Sequence, residues 1–145
     1  MNEEIIFKIE NGVGILTLNR PERLNALTYN IVQKMNDFLD KCESDDDIKC
    51  VIIEGSGEKA FCAGGDVVSL RKQVLDEGGP PTELSEKFFY DEYLLNYKIN
   101  NFKKPYIALI DGVTMGGGVG VSMHGSHRSE EHTSELQSHS DLVCR

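Results

Sequence analysis

The sequence predicts a mixed α/β fold, and three kinds of observation carry that prediction. Apolar runs of strand length recur at 13–18, 50–54 and 105–110. The last two runs lead into glycine-rich turns, Ala60-Phe61-Cys62-Ala63-Gly64-Gly65-Asp66 and Gly112-Val113-Thr114-Met115-Gly116-Gly117-Gly118-Val119-Gly120. Other segments space their apolar residues three and four apart, as helices with one buried face do.

In chain order, 4–10 and 13–18 read as two strands joined at Asn11-Gly12, a dipeptide suited to tight hairpins because both positions accept positive φ. Ile6, Ile9, Val13, Ile15, Leu16 and Leu18 are expected to form the apolar face of this pair. Residues 19–25 read as an extended loop, with Pro21 keeping Arg20 out of the helical region. Thr28 can cap a helix running to about Glu43, with Ile31, Met35, Phe38, Leu39 and Cys42 on one stripe. Asp45-Asp46-Asp47 gives a solvated turn and lacks the spaced oxygens of a calcium loop. A strand at 50–54, the first glycine turn and a helix from about Val67 follow, and Gly78-Gly79-Pro80-Pro81 breaks that segment. Residues 83–101 form a second amphipathic helix carrying Leu84, Phe88, Tyr93, Leu94, Leu95 and Ile99. A strand at 105–110, a turn at Asp111-Gly112 and a helix from Gly117 complete a ββα, βα, αβα order with no internal sequence repeat.

At 145 residues the chain is at most one domain, and its formal charge of −9 argues against a nucleic-acid surface. No apolar run approaches the ~20 residues of a membrane helix. The opening Met1-Asn2-Glu3-Glu4 is acidic and resembles neither a secretory signal nor an Arg-rich presequence. Cys42, Cys50, Cys62 and Cys144 lack metal-ligand spacing, so reduced thiols and no metal site are expected.

From about Arg128 the composition changes to Ser, Glu and His with no glycine and no aromatic residue. His132 and His139 can be read as ligands or bases, or the run as a disordered polar tail. The reading preferred is that 129–145 resembles a translated sequencing adapter, a non-native and disordered tail set apart from the domain at 1–128. Without its four carboxylates and one arginine the formal charge becomes −6.

The two glycine turns carry the chemistry. Glycine lets backbone approach a ligand closely, and a helix start offers N–H groups without internal partners. Two such turns can aim one N–H each at a single oxygen, an oxyanion hole built from main chain. Nucleotide motifs do not fit: Met123 occupies the third glycine position of G-x-G-x-x-G counted from Gly118, and no G-x-x-x-x-G-K is present.

Leu18-Asn19-Arg20-Pro21, Leu24-Asn25-Ala26-Leu27, the turn at 60–66 and Asp111-Gly112 with Gly116-Gly117-Gly118 stand in an order and spacing that resembles the crotonase (enoyl-CoA hydratase/isomerase) superfamily, over residues 4–128. Cys62-Ala63-Gly64-Gly65-Asp66, the helix segment Phe88-Phe89-Tyr90-Asp91-Glu92-Tyr93 with Asn96, and the stretch from Lys104 to Gly125 resemble the branch that hydrolyses 3-hydroxyisobutyryl-CoA in valine breakdown. The resemblance implies a repeated ββα spiral, here its N-terminal part. It implies that Gly65 and Gly117 donate the two N–H groups to the thioester oxygen, and that Glu92 and Gly117 contact the substrate. Leu24, Ala26, Ala63, Gly64, Gly65, Asp66 and Val67 are implied to hold coenzyme A.

In superfamily members that hydrate with two glutamates, the first stands where this chain has Gly120, which cannot act as a base. His124, one turn on, reads as an exposed or packed helix residue. The branch's acid and base carboxylates lie in a downstream segment that the sequence does not reach, so the segment alone is expected to be inactive. The resemblance implies no metal and no redox cofactor, with coenzyme A entering only as part of an acyl-CoA substrate. It implies no nucleic-acid or membrane partner, leaves room for a homo-oligomer of the full-length protein, and points to the mitochondrion without excluding cytoplasm or peroxisome. Two other readings stay open: an enoyl-CoA hydratase/isomerase-like enzyme with its acid wholly downstream, and a non-catalytic product that binds coenzyme A.

Overall fold

The computed structural model describes residues 3–76, 78–79 and 82–131. Two sheets organise the chain. The larger has the order β1-β2-β3-β5-β7, formed by β1 (Ile5–Glu10), β2 (Val13–Leu18), β3 (Cys50–Gly55), β5 (Tyr106–Asp111) and β7 (His127–Glu131). The hairpin β1/β2 is antiparallel and every other neighbour is parallel. A small sheet pairs β4 (Ala60–Cys62) with β6 (Val113–Thr114), also in parallel. Leu27 adds an isolated parallel bridge to Gly65.

The helices are α1 (Tyr29–Ser44), α2 (Val67–Asp76), α3 (Glu83–Asn100) and α4 (Gly117–Met123). Thr28 caps α1 by accepting from the Ile31 N–H at 3.2 Å, as its sequence position predicts. The stripe Ile31, Met35, Phe38, Leu39 and Cys42 is buried, and Val32 joins it. Thr82 and Ser85 form a reciprocal capping box on α3. The inward side chains of the large sheet, α1 and α3 make one continuous core.

Several expectations need correction. In the hairpin, Ile5 is buried opposite Leu18, whereas Ile6 pairs with Thr17 on the outer face, and Ile9, on the inner face opposite Gly14 near the hairpin turn, stays exposed. Residues 19–25 are not extended. Pro21–Arg23 forms a 3₁₀ turn, and Leu24 and Asn25 then adopt left-handed φ of 51° and 55°. Pro21 is well placed there, since the first turn of a helix needs no N–H from it. On α3, Tyr93 (68 % exposed) and Leu94 point outward, and Glu92 stands on the buried face with Phe88, Leu95 and Ile99. The helix carries apolar residues all round, so periodicity alone did not select the inner face. Strand β7 runs through the composition break at Arg128 to Glu131. Residues 132–145 with His132, His139 and Cys144, and Pro80 and Pro81 of the predicted break, lie outside the described residues.

Candidate functional site

Strands β4 and β6 bring the two glycine turns together. Cys62 pairs with Thr114 in the small parallel sheet, and the Met115 N–H donates to the Cys62 carbonyl at 3.0 Å. Three residues beyond each partner stand Gly65 and Gly117, so the register makes them neighbours. A Cβ on Gly117 would lie 3.4 Å from the Gly65 nitrogen, and one on Gly64 would lie 3.5 Å from the Gly117 nitrogen. Both turns need positive φ, at Gly64 (106°) and Gly116 (50°), which an L side chain would strain. Among the described residues, neither the Gly65 nor the Gly117 N–H donates a hydrogen bond. Two free main-chain donors thus sit side by side, one of them at the first turn of α4.

Glu92 faces this point from α3. It is 7 % exposed, and a Cβ on Gly117 would overlap its Oε1. Among the described residues its carboxylate has no hydrogen-bond or ion-pair partner, and burial pushes the carboxyl above its usual range. Such a group is unusual for a carboxylate in a core, where charges are normally paired. Gly120 stands one turn further along α4 and packs on the amide of Asn96.

The segments implied to hold coenzyme A are joined by backbone hydrogen bonds. The Ala63 N–H donates to Leu24, the Leu27 N–H to Gly64 and the Asp66 N–H to Leu27, at 2.8–2.9 Å. Leu24 and Val67 leave apolar surface exposed beside this junction, while Ala26 and Ala63 are half-buried. The Asp66 side chain is engaged elsewhere: it accepts from the Ser69 N–H and hydroxyl at the start of α2, and from Arg20 at 2.9 Å. Burial would raise its carboxyl, but those hydrogen bonds and the Arg20 charge hold it below its usual range.

Sequence reasoning missed the braces of this junction. Arg20 donates to the Ala26 carbonyl at 2.8 Å, pairs with Asp66 and also reaches Glu4 at 3.4 Å. Asn25 is buried; it accepts from the Arg20 N–H and donates to the Ser56 and Ala60 carbonyls. The signal available was an Asn in a turn, a residue that tolerates left-handed φ and bonds local backbone. A cavity of about 410 Å³ lined by Glu4, Arg20, Leu27, Asp66, Leu70 and Phe88 lies beside the brace and does not include Gly65 or Gly117. His124 is exposed at the C-terminal end of α4. Burial raises the Cys42 thiol to about 11 and the Cys62 thiol to about 12, so neither is a ready nucleophile. Among the described residues no three His, Cys, Asp or Glu could share a metal, and no helix is long and apolar enough to cross a membrane.

A family model described as enoyl-CoA hydratase/isomerase matches residues 13–134. The chain belongs to that family. Among its relatives are proteins named 3-hydroxyisobutyryl-CoA hydrolase, mitochondrial, from Danio rerio (47 % identical over 86 % of this chain) and Homo sapiens (44 % over 87 %). The chain spans about a third of the length of these curated relatives, 32 % in both cases. A crystal structure of a carnitinyl-CoA dehydratase from Mycobacterium thermoresistibile matches with a TM-score of 0.81 at 43 % identity, covering 88 % of this chain and 36 % of the other. The ββα spiral of the enoyl-CoA hydratase/isomerase family is visible directly. Each unit runs from a large-sheet strand to a small-sheet strand or bridge and then to a helix: β2–Leu27–α1, β3–β4–α2 and β5–β6–α4.

Proposed function

We propose that this chain forms the thioester-oxygen-binding part of an acyl-CoA hydrolase that converts 3-hydroxyisobutyryl-CoA and water to 3-hydroxyisobutyrate and coenzyme A. The observation that carries the reading is the pair of unbonded N–H groups on Gly65 and Gly117, faced by the buried, unpaired Glu92. When water adds to the thioester carbon, charge collects on the former carbonyl oxygen. Two fixed donors at one point stabilise that charge more than they stabilise the neutral carbonyl. Glu92 meets the acyl group beside it. Leu24 and Ala26, with Ala63, Gly64, Gly65, Asp66 and Val67, line the place of the adenosine and pantetheine arms, held in position by their mutual backbone hydrogen bonds and offering the exposed apolar surface of Leu24 and Val67.

The names of the relatives supply the substrate and a mitochondrial setting. Gly120 adds a chemical argument, because no base can stand at that position to add water to an enoyl double bond. Coenzyme A enters as part of the substrate, and neither a metal nor a redox cofactor has a step to perform in this hydrolysis. The test is to express the full-length protein and compare thiol release from 3-hydroxyisobutyryl-CoA with hydration of crotonyl-CoA. Fast thiol release with little hydration is expected. Efficient hydration without thioester cleavage would overturn the reading in favour of a hydratase.

A further inference from the structure

Helix α3 presents a second polar side chain to the same face of α4. Glu92 and Asn96 are four residues apart and so lie one above the other. They face Gly117 and Gly120, which are themselves one turn apart on α4. The fit at Gly120 is close: a Cβ there would lie 2.6 Å from Asn96 Nδ2, 2.8 Å from Oδ1 and 3.0 Å from Cγ. The missing side chain at 120 is what admits the amide. Asn96 Oδ1 is buried without a hydrogen-bond partner, one of two such side-chain atoms among the described residues. An orphaned buried acceptor destabilises a protein, and structures usually give each one a partner. Packing alone does not account for a polar group here, since Leu or Met would fill the space without that cost.

We infer that Asn96 Oδ1, lying one helical turn from Glu92 in the space left open by Gly120, accepts a hydrogen bond from an O–H group of the bound acyl chain. This rests on the acyl-CoA reading above and adds to it a specificity-determining residue. The competing source of an O–H here is an ordered water, and the substrate pair in the test separates the two. The site takes 3-hydroxyacyl groups in preference to their deoxy counterparts, because without the hydroxyl the amide stays unpaired.

The test uses the full-length protein with two thioesters that differ only in the hydroxyl, 3-hydroxyisobutyryl-CoA and isobutyryl-CoA, and reads the ratio of kcat/KM. The wild type should prefer the hydroxylated thioester by about tenfold or more, in keeping with one buried hydrogen bond. N96A should reduce that preference to about twofold or less. G120A, which keeps α3 intact and suits a helix, should reduce it as well by displacing the amide. N96D, which keeps an acceptor, should restore part of it. A wild type indifferent to the hydroxyl assigns the acceptor to water and overturns the inference. An unchanged ratio in both N96A and G120A, or N96D indistinguishable from N96A, also overturns it. If the wild type cleaves neither thioester, the hydrolase reading fails by itself. The inference is then decided by the ratio of dissociation constants for the same pair in wild type and variants.

Discussion

Replacing Asn25 should show how the first glycine turn is held. The residue is 1 % exposed, has a left-handed φ of 55° and makes three side-chain hydrogen bonds, to the Arg20 N–H and to the Ser56 and Ala60 carbonyls. Each bond is worth about 1 kcal/mol net, so Asn25→Ala loses about 3 kcal/mol there. Holding Ala in the left-handed region adds about 1–2 kcal/mol. Asn25→Gly loses the same bonds without that strain, although glycine's freedom in the unfolded chain returns about 0.5–1 kcal/mol of the advantage. The expected order is wild type, then Gly, then Ala, the reverse of the order usual inside a helix. The losses are a large share of the roughly 5–15 kcal/mol that holds a domain together. Urea unfolding of the full-length protein and both variants measures them. Losses under about 1 kcal/mol, or Ala more stable than Gly, would refute the reasoning, because one says the bonds are idle and the other that the backbone is unstrained.

Two further outcomes follow from burial. Burial raises the Glu92 carboxyl in the folded state. The folded protein therefore holds this proton more tightly than the unfolded chain, and stability falls as pH rises from the usual carboxylate range through the raised value. Glu92→Gln should then melt higher than wild type at pH 7.5, and the gain should close under acid conditions; the same shift at both pH values would contradict this. A thiol reagent at pH 8 should label neither Cys42 nor Cys62 in the folded protein, because burial raises those thiols to about 11 and 12. Rapid labelling of either, read by mass spectrometry, would show that its surroundings open.

Strands β1, β2, β3 and β5, the capped first helix and both glycine turns were legible because each rests on local signals, whereas β7 runs into the stretch read as a tail. The Asn11-Gly12 hairpin, Thr28 before an apolar stripe, and glycines after apolar runs are of this kind. The small sheet was not legible. Ala60–Cys62 and Val113–Thr114 are too short for any period to show, yet their pairing makes Gly65 and Gly117 neighbours. The ββα repeat was expected from the family resemblance and not from periodicity, since one unit supplies only a bridge at Leu27 where the others supply strands. On α3 the sequence offered aromatic residues all round, and the choice of Glu92 and Asn96 as inward side chains came from packing against glycines on a distant helix. Arg20 and Asn25 act through contacts some 30–46 residues away, which spacing alone does not display.

The central claim, that the Gly65 and Gly117 N–H groups bind the reacting oxygen, is tested most directly by comparing Gly117→Pro with Gly117→Ala in the full-length protein. Both place a Cβ against Glu92, but only proline removes the N–H. The first helical position accepts proline without breaking α4, and thermal melts check that both variants fold. The ratio of their kcat values for thioester cleavage therefore isolates the donor. The account predicts that the proline variant turns over roughly 10²-fold more slowly than the alanine variant, the usual effect of losing one oxyanion donor. Equal turnover in two folded variants would contradict it.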